Sequence, residues 1–239
     1  MEVNSIKNLK KILVTGGIGY IGTHTTVTLM QAGLEVIILD NLSNSSSLVL
    51  KRITQLTGRK PYFVKGDVLD SELLDKIFLK YKVDAVIHFA GLKVVSRSII
   101  DPLNYYSNNV SGTIALCQSM KKAKIFKLIF SSSAAVYGDQ KKIPINEDQP
   151  TGHTANPYGS SKLIAEKVLN DLVRSDPRWS ISVLRYFNPI GAHESGIIGE
   201  DTKEISDNLM PSLMKVALGN LAKLSIYGND YATIDGTCV

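Results

Sequence analysis

The sequence has few of the features that mark specialised classes of protein. It contains two cysteines, Cys117 and Cys238, with no spacing typical of a metal site or a redox pair. Its longest apolar stretches, such as 83–90 and 127–135, fall well short of the roughly 20 residues of a membrane span. Residues 1–11 carry one glutamate, three lysines and no apolar run, so they do not resemble a secretory signal. These absences favour a cytoplasmic protein without a transmembrane segment.

Clustered positive charge is also lacking. The 239 residues include 27 Lys and Arg against 22 Asp and Glu, and the cations are scattered in pairs such as Lys121-Lys122. A nucleic-acid footprint needs a basic patch, so we expect no nucleic-acid partner. Hydrophobic residues make up 44% and charged residues 21% of the chain, which excludes a disordered or coiled-coil protein. The length allows one large domain, or one domain with a smaller partner.

Short apolar runs alternate with longer amphipathic stretches as far as Tyr186. This alternation predicts a doubly wound, Rossmann-like α/β fold, in which a parallel sheet carries helices on both faces. The predicted strands are 12–14, 36–39, 62–64, 85–89, 127–132 and 181–185, and the predicted helices are 22–31, 48–56, 71–81, 102–122 and 157–174. Residues 188–208 have no steady period and are typical of a ligand-facing loop. A weaker helix near 209–218 and a weaker strand near 223–226 follow.

The first predicted strand runs into a glycine-rich turn and then a helix. Gly16, Gly19 and Gly22 allow the backbone to turn tightly and to approach a pyrophosphate at the N-terminus of the helix. Asp40 ends the second strand 18 residues after Gly22, close to where a dinucleotide-binding fold places an acid on the adenosine ribose. Because an acid there repels a 2'-phosphate, the pattern favours NAD over NADP.

Two of the acidic positions have a structural alternative. Asp40 with Asn41 could form a solvated turn at the strand end, although the glycine turn before it favours the cofactor role. Asp67, after the third strand, could accept a hydrogen bond from an adenine amino group or cap the helix 71–81.

A candidate catalytic pair lies at the start of the helix predicted at 157–174. Tyr158 and Lys162 are four residues apart, so both side chains project from one face of the helix. An ammonium close to a phenol lowers the pKa of the phenol and makes it usable as a general base. The run 131–133 of three serines ends the fifth strand, where a hydroxyl can bond the same substrate oxygen. A Tyr-x-x-x-Lys pair alone is usually an exposed stacked pair, but the serine-ended strand and the glycine turn favour catalysis.

Several longer motifs follow one another in a specific order. They are VTGGIGYIGTHT at 14–25, DNLSNS at 40–45, VIHFAGLK at 86–93, YYSNN at 105–109, FSSSAAVYGD at 130–139, NPYG at 156–159 and LRYFNPIGAH at 184–193. With these motifs the chain resembles, from about residue 11 to its end, the extended short-chain dehydrogenase/reductase superfamily. Within that superfamily it is similar to the UDP-glucose 4-epimerase family.

The resemblance implies an isomerase that interconverts UDP-galactose and UDP-glucose with bound NAD in galactose metabolism. Tyr158 would take the proton of the sugar 4-hydroxyl while the C4 hydride passes to NAD+, and the 4-keto sugar would turn over before the hydride returns. Ser133 would steady the 4-oxygen, and Lys162 would bind the ribose of the nicotinamide half and lower the pKa of Tyr158. The family also implies a homodimer formed through the helices 102–122 and 157–174.

The resemblance also divides the chain and assigns binding residues. Residues 1–187 would form the NAD-binding domain with the catalytic residues, and 188–239 an incomplete, smaller UDP-sugar-binding region. The residues expected to line the NAD site are Gly16, Gly19, Tyr20, Ile21, Gly22, Asp40, Asn41, Leu42, Ser43, Asn44, Ser45, Asp67, Val68, Phe89, Ala90, Gly91, Leu92, Lys93, Asn108, Ser133, Tyr158, Lys162 and Phe187. Those expected to contact the UDP-sugar are Ser133, Tyr158, Asn188, Asn208, Leu209, Ser225, Ile226 and Tyr227, with the Tyr227 ring near the uracil.

Some of these residues have a structural alternative. Phe89 and Phe187 could simply pack in the core, and Asn208 could cap the helix that starts at Leu209. His24 and His88 have no partner spacing that indicates a metal, so we expect them to be structural and expect no metal site.

Three departures from the family pattern lie near the expected substrate site. Ser96-Arg97 replaces Gly-Glu, Ser206-Asp207 replaces Pro-Asn, and residues 220–222 replace a segment that commonly holds two arginines. Each is expected to weaken substrate binding without removing the chemistry. Family members also continue beyond Asp-Gly-Thr with an arginine that contacts the diphosphate. We therefore expect a C-terminally truncated chain, which alone binds NAD weakly and turns over little or nothing.

Two other functions compete with epimerisation. A nucleotide-sugar 4,6-dehydratase shares the hydride step but carries an Asp-Glu pair where this chain has Ala134-Ala135, and alanine cannot transfer a proton. An NAD-binding module without turnover would keep the glycine turn and lose the chemistry. The presence of Ser133, Tyr158 and Lys162 favours the enzyme over this module.

Overall fold

Six strands pair into one parallel sheet. In the computed structural model, which describes residues 9–140, 142–201, 208–226 and 228–237, they are β1 (Lys11–Thr15), β2 (Glu35–Asp40), β3 (Tyr62–Lys65), β4 (Ala85–His88), β5 (Lys127–Ser133) and β6 (Ser180–Tyr186). Their order across the sheet is β3-β2-β1-β4-β5-β6, with parallel pairing between neighbours. This order is that of a doubly wound dinucleotide-binding fold, so the predicted fold class is confirmed.

Helices cover both faces of the sheet. They are α1 (Tyr20–Gln31), α2 (Leu48–Thr57), α3 (Ser71–Tyr81), α4 (Val95–Ile100), α5 (Pro102–Tyr105), α6 (Gly112–Lys122) and α7 (Pro157–Ser175). Leu13 of β1 belongs to the core that includes residues of α3, α6 and α7, whereas Ile12 and Val14 belong to the core that includes residues of α1 and α2. Because both faces are buried, β1 is apolar at consecutive positions instead of alternating.

The single helix predicted at 102–122 is divided in the structure. A π-helical turn, Tyr106–Ser111, separates α5 from α6, and α4 precedes them without having been predicted. Asp101 ends α4 and caps α5, since its side chain accepts a hydrogen bond from the N–H of Asn104 at 3.3 Å. The predicted bounds are confirmed, since the three helical elements run from Pro102 to Lys122 without a gap, but the π-turn was missed because periodicity does not reveal it.

The chain forms two compact units, Met1–Lys203 with the sheet and Glu204–Val239. The second unit contains α8 (Leu209–Ala217), which confirms the helix predicted near 209–218. The strand predicted at 223–226 is wrong: these residues are not in a strand, and a strand needs a neighbour whose backbone groups pair with its own. The functional division predicted at residues 187 and 188 stays a prediction.

Candidate active site

Polar side chains gather where the parallel strands end. Thr15, Asp40, His88, Ser133 and Tyr186 are the last residues of β1, β2, β4, β5 and β6. The carboxyl ends of parallel strands meet at one edge, and ligands bind there at the point where the strand order reverses. In this sheet that point lies between β1 and β4.

The glycine turn after β1 is shaped for close approach. Gly16 has a φ of +67°, its N–H donates to Leu39 O at 2.8 Å, and its carbonyl accepts from Gly19 N at 3.1 Å. A Cβ added to Gly22 would lie 2.2 Å from Gly16 O, and one added to Gly16 would lie 2.7 Å from Ala90 N. The glycine-rich loop therefore packs closely against the start of α1, and there is no room for side chains at Gly16 and Gly22. Since first-turn amides have no acceptor within their own helix, this cradle fits a pyrophosphate.

Asp40 is held at the end of β2 by several hydrogen bonds. Its carboxylate accepts from Leu42 N at 2.9 Å, from Ser45 Oγ at 2.9 Å and, from the glycine turn, from Ile18 N at 3.4 Å. Asp40 is 8% exposed, so the alternative of a solvated turn is wrong. The acid is in place beside the glycine turn, and its contact with a ribose stays a prediction.

Asp67 links the loop after β3 to the loop after β2. Its carboxylate accepts from Asn41 Nδ2 at 2.8 Å and from Leu69 N at 2.9 Å. The cap of α3 is instead Asp70, which accepts from Leu73 N at 2.9 Å. The helix-cap alternative for Asp67 is therefore wrong, and the predicted adenine contact remains untested.

The three predicted catalytic residues come together at the end of β5. The hydroxyl of Ser133 is close enough to the phenol of Tyr158 to lower its pKa, and Lys162 Nζ donates to the carbonyl of Ser131 at 2.9 Å. Burial has the larger effect on Tyr158 and raises its pKa. The sequence predicted that Lys162 lowers the pKa of Tyr158. This prediction is wrong for the chain without ligands, because the pKa is raised. The physical reason is that the ammonium of Lys162 donates a hydrogen bond to the backbone carbonyl of Ser131.

The charge states of Lys162 and His88 differ although both are buried. Burial lowers the pKa of Lys162 to about 8, and the nearby charge of Glu166 acts in the opposite direction. Burial first, and then the charge of Lys162, lower the pKa of His88 to about 3. At pH 7 the lysine is therefore mostly cationic and the histidine neutral.

His88 belongs to a chain of hydrogen bonds under the site, as expected of a structural residue. Nδ1 is 2.6 Å from Thr15 Oγ1, and Nε2 is 3.2 Å from Thr113 Oγ1. Thr113 already donates its hydroxyl hydrogen to the carbonyl of Asn109 at 2.7 Å, so it accepts from Nε2. Nδ1 is then the acceptor, so the neutral imidazole carries its hydrogen on Nε2. These hydrogen bonds connect the end of β1 with Asn109 of the π-turn.

Asn109 is a site residue that the sequence reasoning missed in favour of its neighbour Asn108. Its Oδ1 accepts from Leu92 N at 2.8 Å, and its Nδ2 donates to Leu92 O at 3.0 Å and to Ser161 Oγ at 2.9 Å. The buried amide thus fixes the segment after β4 against α7. An asparagine within a predicted helix interior, where it is a poor helix former, was the available signal.

The segment after β6 contacts the predicted NAD-site residues. Tyr20 Oη donates to the carbonyl of Gly191 at 2.6 Å, and Lys93 Nζ lies 2.9 Å from Glu200 Oε1. Glu200 is a second residue that the sequence reasoning missed. Phe89 packs at the edge of the core, which confirms its structural alternative. Phe187 is 60% exposed, so core packing is wrong for it.

The predicted UDP-sugar residues are divided between the two units. Asn188 follows β6 in the first unit, whereas Asn208, Leu209, Ser225 and Ile226 lie in the second. Asn208 is at the N-terminal cap position of α8, but its side chain does not bond the helix amides, so the cap alternative is wrong. Tyr227 and the Ser206-Asp207 departure lie outside the described residues. These contacts stay predictions.

Two kinds of feature are absent from the part of the chain that the structure describes. It has no group of His, Cys, Asp or Glu side chains that could hold a metal ion. None of its helices is both long and apolar enough to cross a bilayer.

Comparison with known proteins identifies close relatives. Residues 12–237 match the model of the NAD dependent epimerase/dehydratase family. The UDP-glucose 4-epimerases of Haemophilus influenzae and Bacillus subtilis are 55% and 54% identical over 228 residues, which is 95% of this chain and 68% and 67% of theirs. The crystal structure of the Bifidobacterium longum UDP-glucose 4-epimerase, in complex with NAD+ and UDP, matches with a TM-score of 0.93 and 51% identity. That match covers 95% of this chain and 68% of the other.

Proposed function

The chain belongs to the NAD dependent epimerase/dehydratase family, and from this premise we propose that it is a UDP-glucose 4-epimerase. It interconverts UDP-galactose and UDP-glucose, and its cofactor is NAD. The observation that carries the proposal is the meeting of Ser133, Tyr158 and Lys162 at the sheet edge beside the glycine turn. Relatives with this name that are more than half identical to the chain support the same substrate pair.

The cofactor is held by groups that the chain presents on two neighbouring strands. The glycine turn and the first-turn amides of α1 bind the pyrophosphate, and Asp40 at the end of β2 accepts hydrogen bonds from the adenosine ribose. The missing Cβ atoms at Gly16 and Gly22 support this assignment, because side chains there would collide with the backbone. When bound, NAD supplies a hydride acceptor and donor for carbon 4 of the sugar.

The chain's own residues handle the proton at the sugar 4-oxygen. Tyr158 takes and returns this proton through its phenolic oxygen, and Ser133, whose hydroxyl acts on the phenol, orients it. Lys162 supplies the positive charge that stabilises the phenolate when it forms. Because burial raises the pKa of the free phenol, Tyr158 holds its proton until the occupied site supplies further positive charge.

Dehydration is a poor match for the same site. Ala134 and Ala135 directly follow Ser133 in a 3-10 turn, Ala134–Tyr137. Elimination of water across the sugar's carbons 5 and 6 requires an acid and a base at such positions, and methyl side chains supply neither. The reaction therefore stops at the change of configuration at carbon 4.

Product analysis tests this function against its alternatives. The protein, expressed from its complete reading frame, is incubated with UDP-galactose, and the products are separated by anion-exchange chromatography and identified by proton NMR. We expect UDP-glucose. A 4-keto-6-deoxy sugar would instead indicate a dehydratase, and NAD binding without any product would indicate the binding module.

A homodimer formed through residues 102–122 and 157–174 is part of the proposal. Large apolar side chains are exposed on and beside these segments, among them Ile100, Leu103 and Ile164. Burying such side chains against a second copy would remove apolar area from water. Sedimentation velocity measures the mass directly, and replacing Leu103 by aspartate is expected to shift it towards the monomer. The cytoplasmic location also stays a prediction.

A further inference from the structure

A fully paired carboxylate lies one helical turn beyond Lys162. Glu166 of α7 is 3% exposed. Its Oε1 accepts from Ser132 Oγ at 2.5 Å and from Arg185 Nε at 3.1 Å, and its Oε2 accepts from Arg185 Nη2 at 2.8 Å. Buried carboxylates are costly unless they are paired in this way, so the arrangement indicates a defined role.

The partners of Glu166 belong to the catalytic end of the sheet. Ser132 lies between Ser131, whose carbonyl accepts from Lys162, and Ser133, whose hydroxyl acts on the pKa of Tyr158. Successive side chains of a strand point to opposite faces, so Glu166 bonds the strand through the one serine that points away from its neighbours. This bond therefore attaches α7 to the end of β5, which is also paired with β6 at Ser131, Ser132 and Ser133.

Arg185 completes the clamp from β6. Besides its two bonds to Glu166, it donates from Nη1 to the hydroxyl of Tyr137 at 2.9 Å, and its guanidinium carbon lies 4.8 Å from the centre of that ring. Tyr137 belongs to the 3-10 turn that follows β5. The ion pair therefore joins α7, the end of β5, the turn after it and β6.

The charge of Glu166 matters as well as its hydrogen bonds. Lys162 and Arg185 carry positive charge near it, while His88 and the phenol of Tyr158, the other titratable groups around Lys162, are neutral at pH 7. Burial lowers the pKa of Lys162 to about 8, and Glu166 raises it. Without this carboxylate, the buried Lys162 and the partly exposed Arg185 would both lose a nearby negative charge.

We propose that Glu166 is a positioning residue for the catalytic pair: clamped by Arg185, its carboxylate holds the end of β5 through Ser132 and places a negative charge one helical turn from Lys162. The proposal rests on the proposed function only for its catalytic consequence. The electrostatic relation between Glu166 and Lys162 stands without it.

Opposite charge changes test the electrostatic role. Glu166→Gln removes the negative charge and keeps the shape, whereas Arg185→Gln removes the competing positive charge. The titration of Lys162 is followed by NMR of protein labelled with 13C at lysine Cε, and the signal is assigned with Lys162→Arg. We expect the pKa of Lys162 to fall by about one pH unit or more in Glu166→Gln and to rise in Arg185→Gln.

A matched control separates charge from hydrogen bonding. Ser132→Ala removes a hydrogen bond of Glu166 but no charge, so the pKa of Lys162 is expected to stay at its wild-type value. If Glu166→Gln does not fold, the double variant Glu166→Gln with Arg185→Gln removes both charges of the ion pair and leaves neither unpaired. The pKa of Lys162 is then expected below its value in Arg185→Gln alone, because these two proteins differ only in the charge of residue 166.

The outcomes are distinct from those of the functional assay. The proposal would be overturned if Lys162 in a folded Glu166 variant had the same pKa as in the wild type. It would also be overturned if the pKa of Lys162 shifted in the same direction in Glu166→Gln and in Arg185→Gln. If epimerase activity is present, the alkaline limb of kcat/KM should move with the NMR pKa in each variant. A protein that lacks activity but shows the opposite shifts would refute the proposed function and leave the role of Glu166 intact.

Discussion

The ammonium nitrogen of Lys162 lies 2.9 Å from the carbonyl oxygen of Ser131, two residues before the serine whose hydroxyl acts on Tyr158. This bond anchors the buried lysine to the strand that carries the catalytic hydroxyl. The proposed role of its charge in stabilising the Tyr158 phenolate makes the protonation state of Lys162 a condition for catalysis.

The pH profile of the reaction should report this condition. Burial lowers the pKa of Lys162 to about 8, so the cationic fraction falls as the pH rises through 8. We expect kcat/KM, which reports groups of the free enzyme, to fall with an apparent pKa near 8 on the alkaline side. In Lys162→Arg the charge persists throughout, so this limb should disappear from whatever activity remains. A wild-type profile that stays flat from pH 7 to 9.5 would contradict the assignment.

The glycine turn yields a prediction with an internal control. Gly22→Ala places a Cβ 2.2 Å from the Gly16 carbonyl, so the turn must shift, whereas a Cβ at Gly19 meets that oxygen at an ordinary 3.4 Å. Overpacking of this kind costs about 1–3 kcal/mol, which lowers Tm by roughly 2–4 °C per kcal/mol in a protein of this size. Thermal unfolding and NAD titration should show lower Tm and weaker binding for Gly22→Ala, and a nearly unchanged Tm for Gly19→Ala. Equal Tm losses in the two variants would argue against the close packing.

His88 should lower the free energy of unfolding at acidic pH. Its folded pKa, lowered to about 3 by burial, is below the unfolded value of 6.5. Between these values the unfolded chain binds a proton that the folded chain does not, so this group destabilises the fold as the pH falls from 6.5 towards 3, by about 1.4 kcal/mol per pH unit. Urea unfolding at pH 7 and pH 5 should show a larger loss of stability in the wild type than in His88→Gln. The same loss in both proteins would mean that His88 is not held neutral.

The sequence was sufficient for those parts of the site that depend on local pattern. The glycine turn, the strand-end acid Asp40 and the Tyr158–Lys162 spacing follow from the periods of strands and helices, and the strands lie within a residue or two of their predicted bounds. These features are local because a strand buried on both faces is recognisable from its own residues. The sheet order then brings their ends to one edge.

Features that depend on tertiary contacts were missed. These features are the π-turn, the hydrogen bonds of the Asn109 amide and the pairing of Glu166 with Arg185. They depend on contacts between different segments of the chain, so the hydrophobic periodicity of one segment does not predict them. The strand predicted at 223–226 failed for the same reason, since its residues have the composition of a strand but no partner in the described part of the chain. The lowered pKa expected of Tyr158 failed because the sequence does not tell where the lysine ammonium points.

Tyr158→Phe is the variant that decides whether Tyr158 moves the proton at the sugar 4-oxygen. Turnover of UDP-galactose and NAD affinity are measured for the wild type, for this variant and for Tyr81→Phe, a tyrosine of α3 that serves as the control. Loss of a general acid–base group should lower kcat by about 10²–10⁴-fold, while NAD affinity and the Tyr81→Phe enzyme stay close to wild type. Turnover by Tyr158→Phe at the wild-type rate would contradict the account.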